Sequence, residues 1–305
     1  MRVWIDTDVG TDVDDALALA FALRHPGLEL VGASTVFGDV ELRAAIVEAL
    51  LERAGAAPRP VLAGLGKPLT SKRVGLMVGH EGQGLLDAAE PRTRTDADPE
   101  AEARIDALGK AIQAARPDVL VAIGPMTNVG ALIEAGFDLP RLAIMGSKTR
   151  ETPIDGVAPH FEEWNWFCDP VAVSRMLERT LPADAHPLVV PAEVTFRCRL
   201  EPGDLDLLER GDALARSLAD LSRRWLEVQQ RMSFPEPGVY LHDPLTVALL
   251  VAPDLCPTES ARLTISEDGH VDREARDPNV RIAVDVDTQR ARSLILDTLL
   301  GQARA

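Results

Sequence analysis

Within residues 3–19 the chain passes from Val3-Trp4-Ile5, through Asp6-Thr7-Asp8-Val9-Gly10-Thr11-Asp12-Val13-Asp14-Asp15, into Ala16-Leu17-Ala18-Leu19. A short run of β-formers, five aspartates within ten residues, and then Ala/Leu at helical spacing predict a strand, an acidic turn and a helix. Two carboxylates about 5 Å apart repel by roughly 3 kcal/mol at an effective dielectric of about 20, so such a turn is strained by its own charge. A hard divalent cation would relieve the strain. Oxygen-only donors at the carboxyl end of a strand suit Ca²⁺ or Mg²⁺, whereas zinc would call for Cys or His.

Local capping accounts for part of this pattern. Asp12 reads as an N-cap with Asp15 at N3, and acidic residues in a first helical turn are favoured by the helix dipole. Asp6 and Asp8 precede the cap and sit at a strand end, where open α/β sheets place their ligands. An EF-hand is excluded by register: counted from Asp6, Gly10 is fifth where the sixth should be Gly, and the twelfth is Leu17, not Glu.

Strand-like and helix-like runs alternate along the chain. Strands are expected at 3–5, 28–36, 61–63, 119–123 and 142–145, with helices at 13–24, 42–54, 104–115 and 129–135 between or after them. Further helices are expected at 170–178, 204–218, 221–230, 244–251 and 288–300, with a strand pair near 262–266 and 280–284. This is the βαβ rhythm of a doubly wound, mostly parallel sheet with helices on both faces, here read as one α/β domain over residues 1–305. Cys168, Cys198 and Cys256 are far apart and odd in number, which argues against a disulfide framework and a Cys-based zinc site. A formal charge of −16 without a basic stripe makes nucleic acid a poor partner. No apolar run reaches membrane-spanning length and no signal-peptide pattern opens the chain, so a cytoplasmic location is expected.

Two irregular stretches read as functional loops. Residues 64–87 hold six glycines but complete neither a P-loop nor a dinucleotide fingerprint. Residues 146–167 end in Phe161-Glu162-Glu163-Trp164-Asn165-Trp166-Phe167, with four of the chain's twelve aromatic residues. If that segment is extended, Glu163 and Asn165 share one side and the tryptophans the other, an arrangement suited to a sugar or heterocycle, or to packing a lid on the core. Lys148 and Arg150 are the nearby cations, in a stretch read as solvated. His242-Asp243-Pro244 looks like a helix start with Asp243 as N-cap and Pro244 at N1, as does Cys168-Asp169-Pro170.

Taken in order, Asp6-Thr7-Asp8-Val9-Gly10 with Asp14-Asp15-Ala16, Gly124-Pro125-Met126-Thr127-Asn128, Met145-Gly146, Glu163-Trp164-Asn165 with Asp169-Pro170, and His242-Asp243-Pro244 resemble the nucleoside hydrolase family. The resemblance spans roughly the whole chain. It implies a Ca²⁺ held by Asp8, Asp15, Asp243 and the backbone carbonyl of Ile123. It also implies that Asp14, Glu163 and Asn165 hold ribose hydroxyls, that Met145 lies beside the sugar, and that His242 stands near the leaving base. Asp8 would deprotonate a water that attacks the anomeric carbon of a nucleoside, and homodimers or homotetramers are usual in such a family. No basic residue stands near the acidic turn or Asp243 in sequence to neutralise them.

Against the family it resembles, the chain departs from the common pattern in four places. The turn between Asp8 and Asp14 is two residues longer, Asp39 replaces the usual asparagine of the substrate site after the second strand, the glycine-rich loop reads His80-Glu81-Gly82, and the segment between Met145 and Glu163 is extended. Two rivals follow. Asp-x-Asp at a strand end also opens haloacid dehalogenase-type phosphatases, although Gly10 stands where their pattern has Thr or Val. A non-catalytic relative that binds Ca²⁺ or sugar is the other.

Overall fold

The computed structural model describes residues 1–86, 100–149, 153, 154, 157 and 161–303. Its strands are β1 (Arg2–Thr7), β2 (Glu29–Thr35), β3 (Val61–Ala63), β4 (Val119–Ala122), β5 (Arg141–Met145), β6 (Leu188–Val190), β7 (Arg199–Leu200), β8 (Val239–Tyr240), β9 (Thr258–Ile265), β10 (Val271–Glu274) and β11 (Val280–Ala283). The helices begin with α1 (Asp14–Arg24), α2 (Val40–Arg53), α3 (Ala101–Ala115), α4 (Thr127–Glu134), α5 (Trp164–Cys168) and α6 (Pro170–Leu177). They continue with α7 (Ala192–Thr195), α8 (Pro202–Glu209), α9 (Ala213–Arg231), α10 (His242–Ala248) and α11 (Thr288–Leu299).

Nine strands form one sheet in the order β10-β9-β11-β6-β5-β4-β1-β2-β3. Neighbours from β11 to β3 run parallel, while β9 lies antiparallel on β11 and β10 antiparallel on β9. The period-2 pleat divides the core. Val3 and Ile5 join the apolar layer formed with α1, α2, α9, α10 and α11, whereas Trp4 joins the opposite layer with α3, α4 and α6. The chain winds from β1 out through β2 to β3, then returns to the other side of β1 with β4 and continues through β5 to β6. The winding thus reverses between β1 and β4, and the crevice at their carboxyl ends is where a sheet of this kind holds its ligand.

The doubly wound α/β architecture is as expected, with local differences. β6 is three residues between Pro187 and Pro191, too short to carry a periodic signal, and β10 has three exposed residues of four. The break expected between residues 218 and 221 lies instead at residues 210–212, where Asp212 caps α9 by accepting from Ala215 N at 3.0 Å. Residue 87, residues 150–152, 155, 156 and 158–160 of the two irregular stretches lie outside the described residues. All three cysteines are free and buried. Among the described residues, no helix is long and apolar enough to cross a membrane.

Candidate active site

β1 ends at Thr7 and the chain turns through Gly10, whose φ of +117° is open to glycine and strained for other residues. α1 starts one residue later than a cap at Asp12 would place it. Val13 is the N-cap, and the Asp12 carboxylate accepts from the adjacent Val13 N at 2.5 Å. Asp14 and Asp15 therefore open the helix, and the Thr7 hydroxyl donates to Asp15. Asp243 arrives from the start of α10, which packs along α1. Here, in contrast to α1, the helix begins earlier than expected, with Leu241 as N-cap and Asp243 inside the first turn.

One carboxylate oxygen from each of Asp14, Asp15 and Asp243 lies within 4.8 Å of the others, and all three residues are buried. Asp8 is buried close by, and its charge acts on all three. Burial first, and mutual repulsion next, push the carboxyls of Asp14, Asp15 and Asp243 well above the usual carboxylate range. Burial also raises Asp8 to about 6, against the opposing pull of Arg43, and Asp12 to about 7. A cluster of buried, all-oxygen acids that resists its own ionisation fits a hard divalent cation.

The wall opposite comes from β4, β5 and α5. Gly124 follows Ile123 so closely on Asp8 that a Cβ there would come within 2.9 Å of Asp8 Oδ1, so glycine leaves room for the acid. The Asn165 amide donates to Ile123 O at 3.0 Å and to Met145 O at 3.2 Å, tying together three positions expected at the site. The segment around them is helical where an extended run was expected. Glu163 caps α5, accepting from Asn165 N at 2.7 Å and Trp166 N at 3.0 Å, and its Oε2 also accepts from Ser147 N at 3.0 Å. Trp166 is consequently buried while Trp164 packs edge-on against Phe37. Burial raises the Glu163 carboxyl to about 7 despite those three donors.

His242 stands at the start of α10 with Nδ1 2.7 Å from Thr195 Oγ1. Its ring lies 4.6 Å from that of Phe196 and 5.6 Å from that of Tyr240, and Phe161 packs on Phe196 beyond. Burial lowers the imidazole to about 4, so it is neutral at pH 7.

Other positions also make hydrogen bonds within the scaffold. Asp39 caps α2, accepting from Leu42 N at 3.2 Å. Asp6 is turned away from the acidic cluster toward Ser34 and Asn128, at 2.5 and 2.8 Å. Lys148 is not solvated: it is buried, with its charge acting on Glu193. Nor is the acidic turn without a cation. Arg43 from α2 reaches beneath it, a residue whose position on the stripe Val40, Arg43, Val47, Leu50 puts a charge where the helix pattern wants an apolar side chain. Thr195, Phe196 and Tyr240 were not anticipated either, since nothing in sequence links them to His242.

A profile of the inosine-uridine preferring nucleoside hydrolase family matches residues 3–293. The chain is 28% identical to the pyrimidine-specific ribonucleoside hydrolase RihA of Enterobacter sp. (strain 638), over 98% of this chain and 97% of that protein. It is 30% identical to uridine nucleosidase 1 of Arabidopsis thaliana, over 83% of this chain and 75% of the relative. Among solved structures, a plant nucleoside hydrolase superposes with a TM-score of 0.78 at 25% identity over 98% of both chains. The fold is also shared, with a TM-score of 0.77 at 22% identity over 99% of both chains, by a purine-preferring ribonucleoside hydrolase from Gardnerella vaginalis. These matches favour neither a phosphatase nor a non-catalytic binder. A match of that extent, on a fold shared end to end, makes the chain a member of the inosine-uridine preferring nucleoside hydrolase family, hydrolases that act on N-glycosidic bonds.

Proposed function

We propose that the protein hydrolyses the N-glycosidic bond of ribonucleosides in a Ca²⁺-dependent reaction, giving ribose and free base. The observation that carries this reading is the buried convergence of Asp14, Asp15 and Asp243 within 4.8 Å, next to Asp8, at the carboxyl ends of β1 and β4. Asp8, Asp15, Asp243 and the carbonyl of Ile123 would hold the cation. When bound, it supplies Lewis-acid polarisation of an attacking water.

The remaining work falls to the chain. Asp8 takes the proton of that water at its carboxylate. Glu163, Asn165 and Asp14 hold ribose hydroxyls, with Met145 against the sugar and Asp39 at the edge of the substrate site. Their negative charge stabilises the positive charge that develops on the ring as the bond to the base lengthens. His242, neutral and backed by Thr195, donates a hydrogen bond toward the departing base. The same reading makes the protein a cytoplasmic nucleoside-salvage enzyme, a homodimer or homotetramer, with no nucleic-acid or membrane partner; the net charge of −16 supports the exclusion of nucleic acid.

Incubation with purine and pyrimidine nucleosides and assay for free ribose tests the activity, with and without a Ca²⁺ chelator. Ribose release that the chelator abolishes and added Ca²⁺ restores is the expected result. Release untouched by chelation refutes the metal requirement, and absence of release from any nucleoside refutes the reaction.

A further inference from the structure

Arg43 is fully buried on the core-facing stripe of α2, and among the described residues its guanidinium has no carboxylate in salt-bridge contact. Its donors go to the acidic turn and its surroundings. Nε donates to Phe37 O at 2.6 Å, Nη1 to Asp8 O and to Val9 O at 2.9 Å, and Nη2 to Thr11 Oγ1 at 3.1 Å. The Thr11 hydroxyl passes the contact on, donating to Glu81 Oε1 at 3.0 Å, and Thr11 O lies 2.7 Å from His80 Nε2.

We propose that Arg43 is a positioning residue for the acidic site: it clamps the backbone at Asp8 and Val9 and the hydroxyl of Thr11, and so sets where the Asp8 carboxylate stands relative to Asp14, Asp15 and Asp243. The inference rests on reading that cluster as a cation site. A buried guanidinium is costly unless its N–H groups are all answered, so mere filling of this core position would be served better by Leu or Met. What Arg offers is a planar fork that satisfies carbonyls of two successive residues and a side-chain hydroxyl at once, which the single ammonium of lysine cannot do. The turn needs such a tie. It passes through Gly10 at a φ of +117°, and glycine's wide conformational freedom makes one shape of the turn costly to hold.

Charge and geometry make opposite demands here, which makes the proposal testable. As a mere positive charge, Arg43 repels an incoming divalent cation, and its loss would tighten metal binding. As a clamp, its loss loosens the turn and weakens binding. Arg43→Lys keeps the charge and loses the fork, while Arg43→Gln loses the charge. Each is measured by near-UV circular dichroism, by Ca²⁺ titration calorimetry well below its unfolding midpoint, and by kcat and KM on a nucleoside at saturating Ca²⁺. Expected for Arg43→Lys is a native spectrum, Ca²⁺ affinity lowered about tenfold or more, and kcat lowered about tenfold or more with KM changed less than about threefold, since misplacement of about 1 Å in a catalytic group is worth that much. Wild-type affinity and kcat in Arg43→Lys, or tighter Ca²⁺ binding in both variants, would overturn the clamp. If neither variant folds, Thr11→Val, which removes one acceptor of the fork without touching the core, carries the test: a smaller loss in the same direction supports it and unchanged values overturn it. A wild type that binds no Ca²⁺ defeats the cation reading instead, and the clamp is then judged on kcat of Arg43→Lys alone, with wild-type kcat overturning it.

Discussion

Thr195 Oγ1 lies 2.7 Å from Nδ1 of the half-buried His242, a hydrogen bond that occupies this nitrogen and leaves Nε2 for other partners. The imidazole, lowered to about 4, is neutral at pH 7, and Nε2 is the nitrogen proposed to carry a proton toward the base. A base departing from a nucleoside needs that hydrogen bond, whereas an activated nitrophenyl leaving group does not. His242→Ala is expected to lower kcat by about 10²-fold or more on nucleosides and by far less on a nitrophenyl riboside. Thr195→Val should give a smaller loss with the same substrate dependence. Equal losses on both substrates would remove His242 from the leaving-group side.

Glu163 sets stability and activity against each other as pH changes. Its folded-state carboxyl, raised to about 7 from an ordinary 4.5, contributes stability that is complete below about 4.5 and is lost as pH rises through 7. Contact with ribose hydroxyls as an acceptor needs the opposite, the ionised form. The metal-free protein should therefore unfold at a lower temperature at pH 8 than at pH 5, while kcat/KM climbs toward neutrality. Glu163→Gln should remove this residue's share of both slopes, and should also lower the midpoint, because an amide N–H₂ then faces backbone donors that now meet oxygen. An unchanged pH profile in that variant would take Glu163 out of the titration.

Removing one acid from the cluster tests the metal directly. Asp15→Ala and Asp243→Ala each delete a carboxylate from the 4.8 Å group, and each should weaken Ca²⁺ by orders of magnitude in titration calorimetry. The thermal shift on adding Ca²⁺, about 2.7 kcal/mol of stabilisation for the wild type at a hundred times Kd, should shrink with it. Asp8→Asn should keep the fold and part of the affinity but lose turnover by orders of magnitude, since an amide does not accept the proton of water. Undiminished Ca²⁺ affinity in both alanine variants would sink the site.

The acidic turn was legible because its chemistry is local: five aspartates at a strand-to-helix junction need no third dimension to look strained. Its register was not. Val13, not Asp12, caps α1, a one-residue difference that spacing does not encode. Arg43 was legible only as an anomaly on an apolar stripe, because its partners at Asp8, Val9 and Thr11 come from a different element some thirty residues away. Likewise β6 carries just three residues and takes its place from β5 and β11 on either side, so pairing, not propensity, makes it a strand. Glu163 shows the converse: its importance was readable, but its role as the cap of α5 replaced an expected extended run.

The last prediction concerns the 5′ end of the substrate. A 5′-phosphate carries nearly two negative charges, and at about 5 Å from a carboxylate such as Glu163 it costs several kcal/mol at an effective dielectric of about 20 unless a cation answers it. Lys148 is placed to be that cation in sequence, but it is buried and its charge already acts on Glu193, whose second oxygen has no hydrogen-bond partner. Drawing Lys148 toward a phosphate would leave the half-buried Glu193 with only its bonds from Thr149 and no cation, so the exchange gains little. Free nucleosides should therefore be preferred over their 5′-monophosphates by about tenfold or more in kcat/KM, which needs only about 1.4 kcal/mol. Comparing the two constants across several bases checks this. A consistent advantage for the monophosphates would show that Lys148 serves the substrate, and Glu193→Gln, by freeing that lysine, should then enlarge the advantage.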